Sequence, residues 1–221
     1  MNPLNVIRDA LYFFQRNLGQ IVLLCLPLVL LESIGKLAVT SLTGGTDAAP
    51  AYDMIVGLLF YPLYTGALIL FLDARSRGEQ PRTADLWAMA LRLWPGFALL
   101  AALSTLLIML GVSMFVLPGL WVMVKLVFAE YLFVLRGLAP LAAMRESFQM
   151  SSGHFWRILA CVLGVLIPLW LLDGLSLMLY PQPQDPLIGV LIDCANSFLQ
   201  VFTTVVLFRL FMLIDAPQQH P

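Results

Sequence analysis

Apolar positions in this chain run together in long blocks rather than recurring at the spacing of a surface helix. Six stretches approach or exceed the ~20 residues a helix needs to cross about 30 Å of hydrocarbon. They are Ile21–Leu42, Met54–Leu72, Gly96–Leu117, Leu120–Leu135, Phe155–Tyr180 and Leu187–Ile214. The fourth is short at its strict limits, and the last two are long enough to tilt. Between them Thr43–Asp53 holds a Gly-Gly pair and a Pro, Pro181–Pro186 holds three prolines, and Leu117-Pro118-Gly119 reads as a tight turn. The ten-residue alternation of an outer-membrane barrel is missing from these runs. The predicted fold class is therefore all-α integral membrane: six transmembrane helices in a single polytopic domain over residues 1–221.

Three shorter segments do follow the helical 3/4 spacing. In Pro3–Gly19 the apolar positions are Leu4, Ile7, Leu11, Phe14 and Leu18, with Arg8, Asp9, Gln15 and Arg16 on other faces. Pro81–Gly96 has an N-cap candidate at Thr83, then Leu86, Met89, Ala90, Leu93 and Trp94. Pro140–Gly153 carries Leu141, Met144 and Phe148 and ends in Ser151-Ser152-Gly153, a helix-terminating sequence. The pattern predicts three interfacial amphipathic helices on the cytoplasmic side. Each precedes an outgoing span and its return, so the chain divides into units 1–73, 74–136 and 137–215. Two readings stand: a three-fold repeat, or the amphipathic inner loops that any six-span protein shows.

Composition agrees with a bilayer. The chain is 61% hydrophobic and 11% charged, with mean hydropathy +0.91, whereas soluble domains carry roughly 25% charged residues. A net charge of −1 with no basic excess sets aside a nucleic-acid partner. Cys25, Cys161 and Cys194 are odd in number and lie in apolar runs, which reads as packing thiols rather than a disulfide framework. Arg8, Arg16, Arg75, Arg77, Arg82, Arg92, Arg136, Arg145 and Arg157 fall in the segments on one side, and Arg209 near that end of the last span. The opposite connections hold Asp47, Asp53 and Asp185. The positive-inside rule places both termini in the cytoplasm. The first apolar run is longer than the 7–15-residue core of a secretory signal, so no cleavage is expected. Trp87, Trp94, Trp121 and Trp156 fall near the predicted interfaces.

Little in the sequence carries chemistry. His154 and His220 have no metal-ligand spacing, and no phosphate loop or nucleophile elbow is present. The expectation is no enzyme, no cofactor and no metal. What remains are ionisable groups within the spans, each costing roughly 2.5–3.5 kcal/mol on insertion scales. Glu32 and Lys36, four apart with the acid first, form an intrahelical pair; they either neutralise each other or line a polar cavity. Lys125 and Glu130 are five apart, about 140° around a helix. Either each has a partner elsewhere, with Glu32 or Asp193 the candidates for Lys125, or Glu130 snorkels from the inner half of the span. Asp173 and Asp193 read as solvated span ends. Arg209 has two readings, an anchor for lipid phosphates or a partner of Glu130. Pro27, Pro62 and Pro168 permit kinks, and Ala98 with Ala102 permits close helix packing.

Several stretches carry a family likeness. They are Arg8-Asp9 followed by Gln15-Arg16-Asn17, the Leu117–Gly119 turn, Ala142-Ala143-Met144-Arg145-Glu146-Ser147-Phe148 leading into Trp156-Arg157, and Leu207-Phe208-Arg209-Leu210-Phe211-Met212-Leu213-Ile214. Together they resemble the YciC-type inner-membrane proteins of Gram-negative bacteria, a family also similar to membrane domains attached to some glycerophosphodiester phosphodiesterases. The resemblance implies a six-span inner-membrane protein with a loose association with lipid or envelope homeostasis, and brings no catalytic residues. The expected partners are membrane lipids and a membrane protein. Arg8, Arg16, Arg145, Arg157 and Arg209 are the candidate head-group contacts. Glu32, Lys36, Lys125, Glu130 and Asp193 are the candidate intramembrane polar site. Support of a separate enzyme or assembly factor, and a small transporter or channel, are the alternative functions.

Overall fold

The computed structural model describes residues 3–43, 49–179 and 186–215, and every regular element among them is an α-helix. Asp47, Asp185, His220 and the connections 44–48 and 180–185 lie outside the described residues. The helices are α1 (Pro3–Thr43), α2 (Ala49–Ser76), α3 (Thr83–Met114), α4 (Val116–Leu126), α5 (Ala129–Arg136), α6 (Pro140–Met150), α7 (Phe155–Leu179) and α8 (Pro186–Asp215). Six helical stretches are long and apolar enough to cross a membrane, one of them formed by α4 and α5 together. The protein is an all-α multi-pass membrane protein.

Neighbouring spans pack in a ring: α1 lies between α2 and α8, α2 against α3, α3 against α4, and α7 against α8. Leucine, methionine and tryptophan cover much of the outside, among them Leu110, Met114 and Trp170. Such a surface suits lipid and not water. α5 is directed inward. Ala129, Tyr131, Leu132, Phe133 and Val134 are all buried, as expected of a helix apolar on every side. Its rings join the aromatic core: Tyr131 stacks on Phe211 at 5.6 Å and Phe133 meets Phe97 edge-on at 5.8 Å.

The expected interfacial segments take different forms. Residues 3–19 do not separate from the first span: α1 continues for 41 residues, about 61 Å at 1.5 Å per residue. The face it packs inward is Val6, Ala10, Phe14, Asn17 and Ile21, while Leu4, Leu11 and Leu18 stay exposed. Phe14 of this face meets the rings of Phe198 and Phe202 on α8, and the leucines are left for the surroundings. The second segment is likewise continuous with its span, since α3 runs through Pro95 and Gly96. A proline forfeits one helical bond and kinks the axis, but packed neighbours can hold the helix together. Thr83 is the first helical residue and not the cap; that place is taken by Arg82, which makes no side-chain cap bond. Only the third segment is a helix of its own, α6, and the turn after it passes through Gly153 at φ +90°.

The third-to-fourth reversal also differs from expectation. The chain turns at the extended residue Phe115, and Leu117-Pro118-Gly119 lies within α4. Glycine enters the contact between the two helices. A Cβ on Gly111 would fall 2.9 Å from the Cα of Gly119, and one on Gly119 would fall 2.8 Å from the backbone N of Val112. The close helix contact is therefore made by Gly111 and Gly119; Ala98 and Ala102 are only half-buried.

Candidate functional site

Charged side chains mark three places, and Lys125 stands apart from them. In the first, Lys36 Nζ lies 2.9 Å from Glu32 Oε1, and Asp193 Oδ2 is 4.0 Å from the same ammonium. Ser33 donates to Asp193 Oδ2 at 2.7 Å, so one turn of α1 is tied to α8. Asp53, at the start of α2, is within electrostatic reach of Lys36. Two carboxylate oxygens here, Glu32 Oε2 and Asp53 Oδ1, are buried without a hydrogen-bond partner among the described residues. Three carboxylates thus share one lysine.

The second place surrounds Glu130. Its side chain accepts the Tyr61 hydroxyl, which lies 2.8 and 2.9 Å from the two carboxylate oxygens. The group faces a cavity of about 180 Å³ between α2, α5, α7 and α8. Thr65 of α2 and Ser197, Gln200, Thr203 and Thr204 of α8 add polar side chains to its wall. Tyr64 also lines it, with its ring 5.7 Å from that of Tyr61 and within electrostatic reach of both Glu130 and Glu32. Asp193, Ser197, Gln200 and Thr204 recur at i, i+4, i+7 and i+11, so one face of α8 runs from the first place to the second.

Lys125 belongs to neither. It meets neither Glu32 nor Asp193; its ammonium donates to Ser152 Oγ at 2.8 Å and sits over the rings of Trp121 and Phe148 at 5.8 and 5.6 Å. The reason is packing: α4 lies against α3, α6 and α7, which brings α6 and not α1 to the lysine. Between Lys125 and Glu130 the span breaks at Val127–Phe128. No proline or glycine is responsible. The buried hydroxyl of Ser147 donates to Lys125 O at 2.7 Å and accepts from Phe128 N at 3.1 Å. A side chain inserted into the helical ladder is a recognised cause of a kink. Three consecutive residues of the motif over Ala142–Phe148 thus act on this span: Glu146 binds Arg136, Ser147 holds the break, and Phe148 covers Lys125. Arg136 also pairs with Asp215 at the end of α8.

The third place is a cavity of about 630 Å³ between the ends of α1, α2 and α8. Arg8, Arg75 and Arg209 line it together with Ala10, Phe13, Leu72, Val205, Phe208 and Met212. Arg209 lies 3.6 Å from Asp9 and does not pair with Glu130. Arg75 is steadied by Asn17, whose side-chain oxygen accepts from its Nε and Nη2 at 3.1 and 2.9 Å. Of the five predicted head-group arginines, Arg8 and Arg209 line this cavity; Arg16, Arg145 and Arg157 are exposed elsewhere. Asp173, expected as a solvated end, accepts from Asn196 at 2.8 Å.

Sequence reasoning missed Arg75, Asp53, Tyr61 and the polar face of α8. The α8 face carried a usable signal, since four polar residues at heptad-like spacing in an otherwise apolar span form one stripe. Arg75 had none beyond its basic neighbours, because Asn17 and Arg209 come from distant parts of the chain.

Comparisons with known proteins bear on membrane residence only. No family model matches the chain, and no solved structure matches it. Over 171 residues, 76% of the chain, it is 26% identical to a UPF0259 membrane protein of Yersinia pestis (strain Pestoides F). The same identity and span relate it to UPF0259 membrane proteins of Yersinia pseudotuberculosis serotype O:3 (strain YPIII) and serotype IB (strain PB1/+). The chain spans 64% of the length of these relatives. Its homologues are thus bacterial membrane proteins whose shared name states where they reside and no activity.

Proposed function

We propose that this protein is a non-catalytic component of the bacterial inner membrane that holds the phosphate group of an anionic phospholipid at its cytoplasmic end. The observation that carries this reading is the cavity lined by Arg8, Arg75 and Arg209. With Asp9 opposing one arginine, the rim keeps a positive balance. Guanidinium groups bind phosphate oxygens in a bidentate fork. Pockets of ~300–1,000 Å³ suit small ligands, and the apolar wall of this one would take glycerol and the first acyl carbons. The exposed Leu4, Leu11 and Leu18 of the same α1 segment add lipid-facing surface beside it. In this reading the termini are cytoplasmic, the resemblance to YciC-type proteins holds, and the service is to phospholipid or envelope homeostasis.

The test uses the full chain in phosphatidylcholine nanodiscs with a small fraction of spin-labelled phosphatidylglycerol. A motionally restricted label population is expected. Each basic group near anionic lipid contributes about 1 kcal/mol, so Arg8→Gln with Arg209→Gln should weaken retention about 30-fold. Arg16→Gln with Arg145→Gln, away from the cavity, should leave it unchanged. Equal retention of spin-labelled phosphatidylcholine and phosphatidylglycerol would sink the proposal.

A further inference from the structure

We infer that the cavity beside Glu130 is a binding site for a small monovalent metal cation held by oxygen ligands from α2, α5 and α8. The inference stands apart from the arginine cavity and uses none of its residues. It begins with charge. A carboxylate offers about four lone-pair sites, and Tyr61 fills one of them with its single proton. Among the described residues, the ion pairs involve other groups and leave Glu130 without a cationic side chain. An uncompensated carboxylate inside a bundle is costly, and a bound cation removes that cost.

The wall supplies the remaining ligands. Thr65, Ser197, Gln200, Thr203 and Thr204 line the same space as Glu130 and carry hydroxyl or amide oxygens. Thr203 Oγ1 is buried with no hydrogen-bond partner, a separate sign that something polar belongs there. The cavity of about 180 Å³ has room for an ion together with water. One carboxylate among neutral oxygens matches a single positive charge. Divalent ions recruit more carboxylates, and softer metals prefer sulfur or imidazole; neither is provided here. The approach is suited to cations as well. Glu32, Asp53 and Asp193 outweigh Lys36 at one end of the α8 stripe that leads through Ser197 and Gln200 to the cavity, and a net negative mouth concentrates cations.

The experiment is thermal unfolding of the full chain in nanodiscs, followed by tryptophan fluorescence. It compares sodium, potassium and N-methylglucamine chloride at one ionic strength. Sodium or potassium should raise Tm saturably, by about 5–10 °C once its concentration exceeds the dissociation constant a hundredfold. Glu130→Gln should lose the rise, with a Tm in N-methylglucamine no lower than the parent protein's, because the uncompensated charge is gone. Thr203→Val, which keeps shape and removes one ligand, should shift the half-maximal cation concentration upward about tenfold. Identical Tm values in all three salts overturn the inference, including the case in which Glu130 simply carries a proton and responds to pH alone. A full rise that survives Glu130→Gln overturns it too. If Glu130→Gln fails to fold, an unshifted midpoint in Thr203→Val does the same.

Discussion

Lys125 and Glu130 stand five residues apart in one membrane span, yet their surroundings differ in kind. The lysine is buried, donates to Ser152 and lies over the rings of Trp121 and Phe148. The carboxylate meets one phenol and a cavity of about 180 Å³. A charge inside a membrane bundle is therefore not a functional signal by itself. What separates the two is what lies beside the charge: aromatic faces at the lysine, a polar-walled cavity at the carboxylate. Ser147 marks the border by holding the break between α4 and α5 open, so each half of the span serves its own environment.

Variants can test that division, and the largest effect is expected where α4 is seated. Gly119→Ala drives a Cβ against backbone of Val112, which cannot swing aside as a side-chain tip could. The loss should reach the upper end of the ~1–3 kcal/mol range for overpacking, or exceed it; yield and Tm of the purified chain measure it. If Gly119→Ala is neutral, α4 is not seated by this contact.

Ser147→Ala comes next. It removes two hydrogen bonds in a fully buried place and should cost about 2 kcal/mol. Amide exchange at Phe128 should accelerate with it, since that N–H loses its acceptor. An unchanged exchange rate at Phe128 would mean that the break is maintained by something other than the serine.

A smaller loss, about 1 kcal/mol, is expected for Lys125→Met, which keeps the stem and forfeits the bond to Ser152 and the ring contacts. Its response to sodium should match the parent protein. A lost response would place Lys125 in the cation site and dissolve the contrast. The smallest effect belongs to Glu146→Gln, about 0.5 kcal/mol, because the Arg136–Glu146 pair is about one-third exposed and such pairs contribute little. Denaturant titration of the two proteins side by side is sensitive enough to decide it.

The fold class was legible without coordinates. Six unbroken apolar runs are a statement about solvent, and a helix is the form in which a single such run satisfies its own backbone within a bilayer. The pairing of Glu32 with Lys36 was equally local, since residues four apart on a helix share a face whatever surrounds them. Periodicity could not show that residues 3–19 also pack: the stripe Leu4, Ile7, Leu11, Phe14 and Leu18 read as the face of an interfacial helix, and in α1 the leucines do stay exposed while Phe14 joins Val6, Ala10, Asn17 and Ile21 against the bundle. The two cavities were beyond sequence reasoning, because Arg8, Arg75 and Arg209, or Glu130 and Thr203, meet only when helices from distant segments are packed.

The break in the fourth span states the division most plainly. The run Lys125-Leu126-Val127-Phe128-Ala129-Glu130 contains no residue that interrupts a helix, and its hydropathy determines only that it enters a membrane. A hydroxyl from α6, more than 15 residues further along, decides that the helix stops there and that Glu130 faces a cavity. Local preference sets the cost of each conformation; the competition for a buried hydrogen bond, which exists only after packing, selects among them.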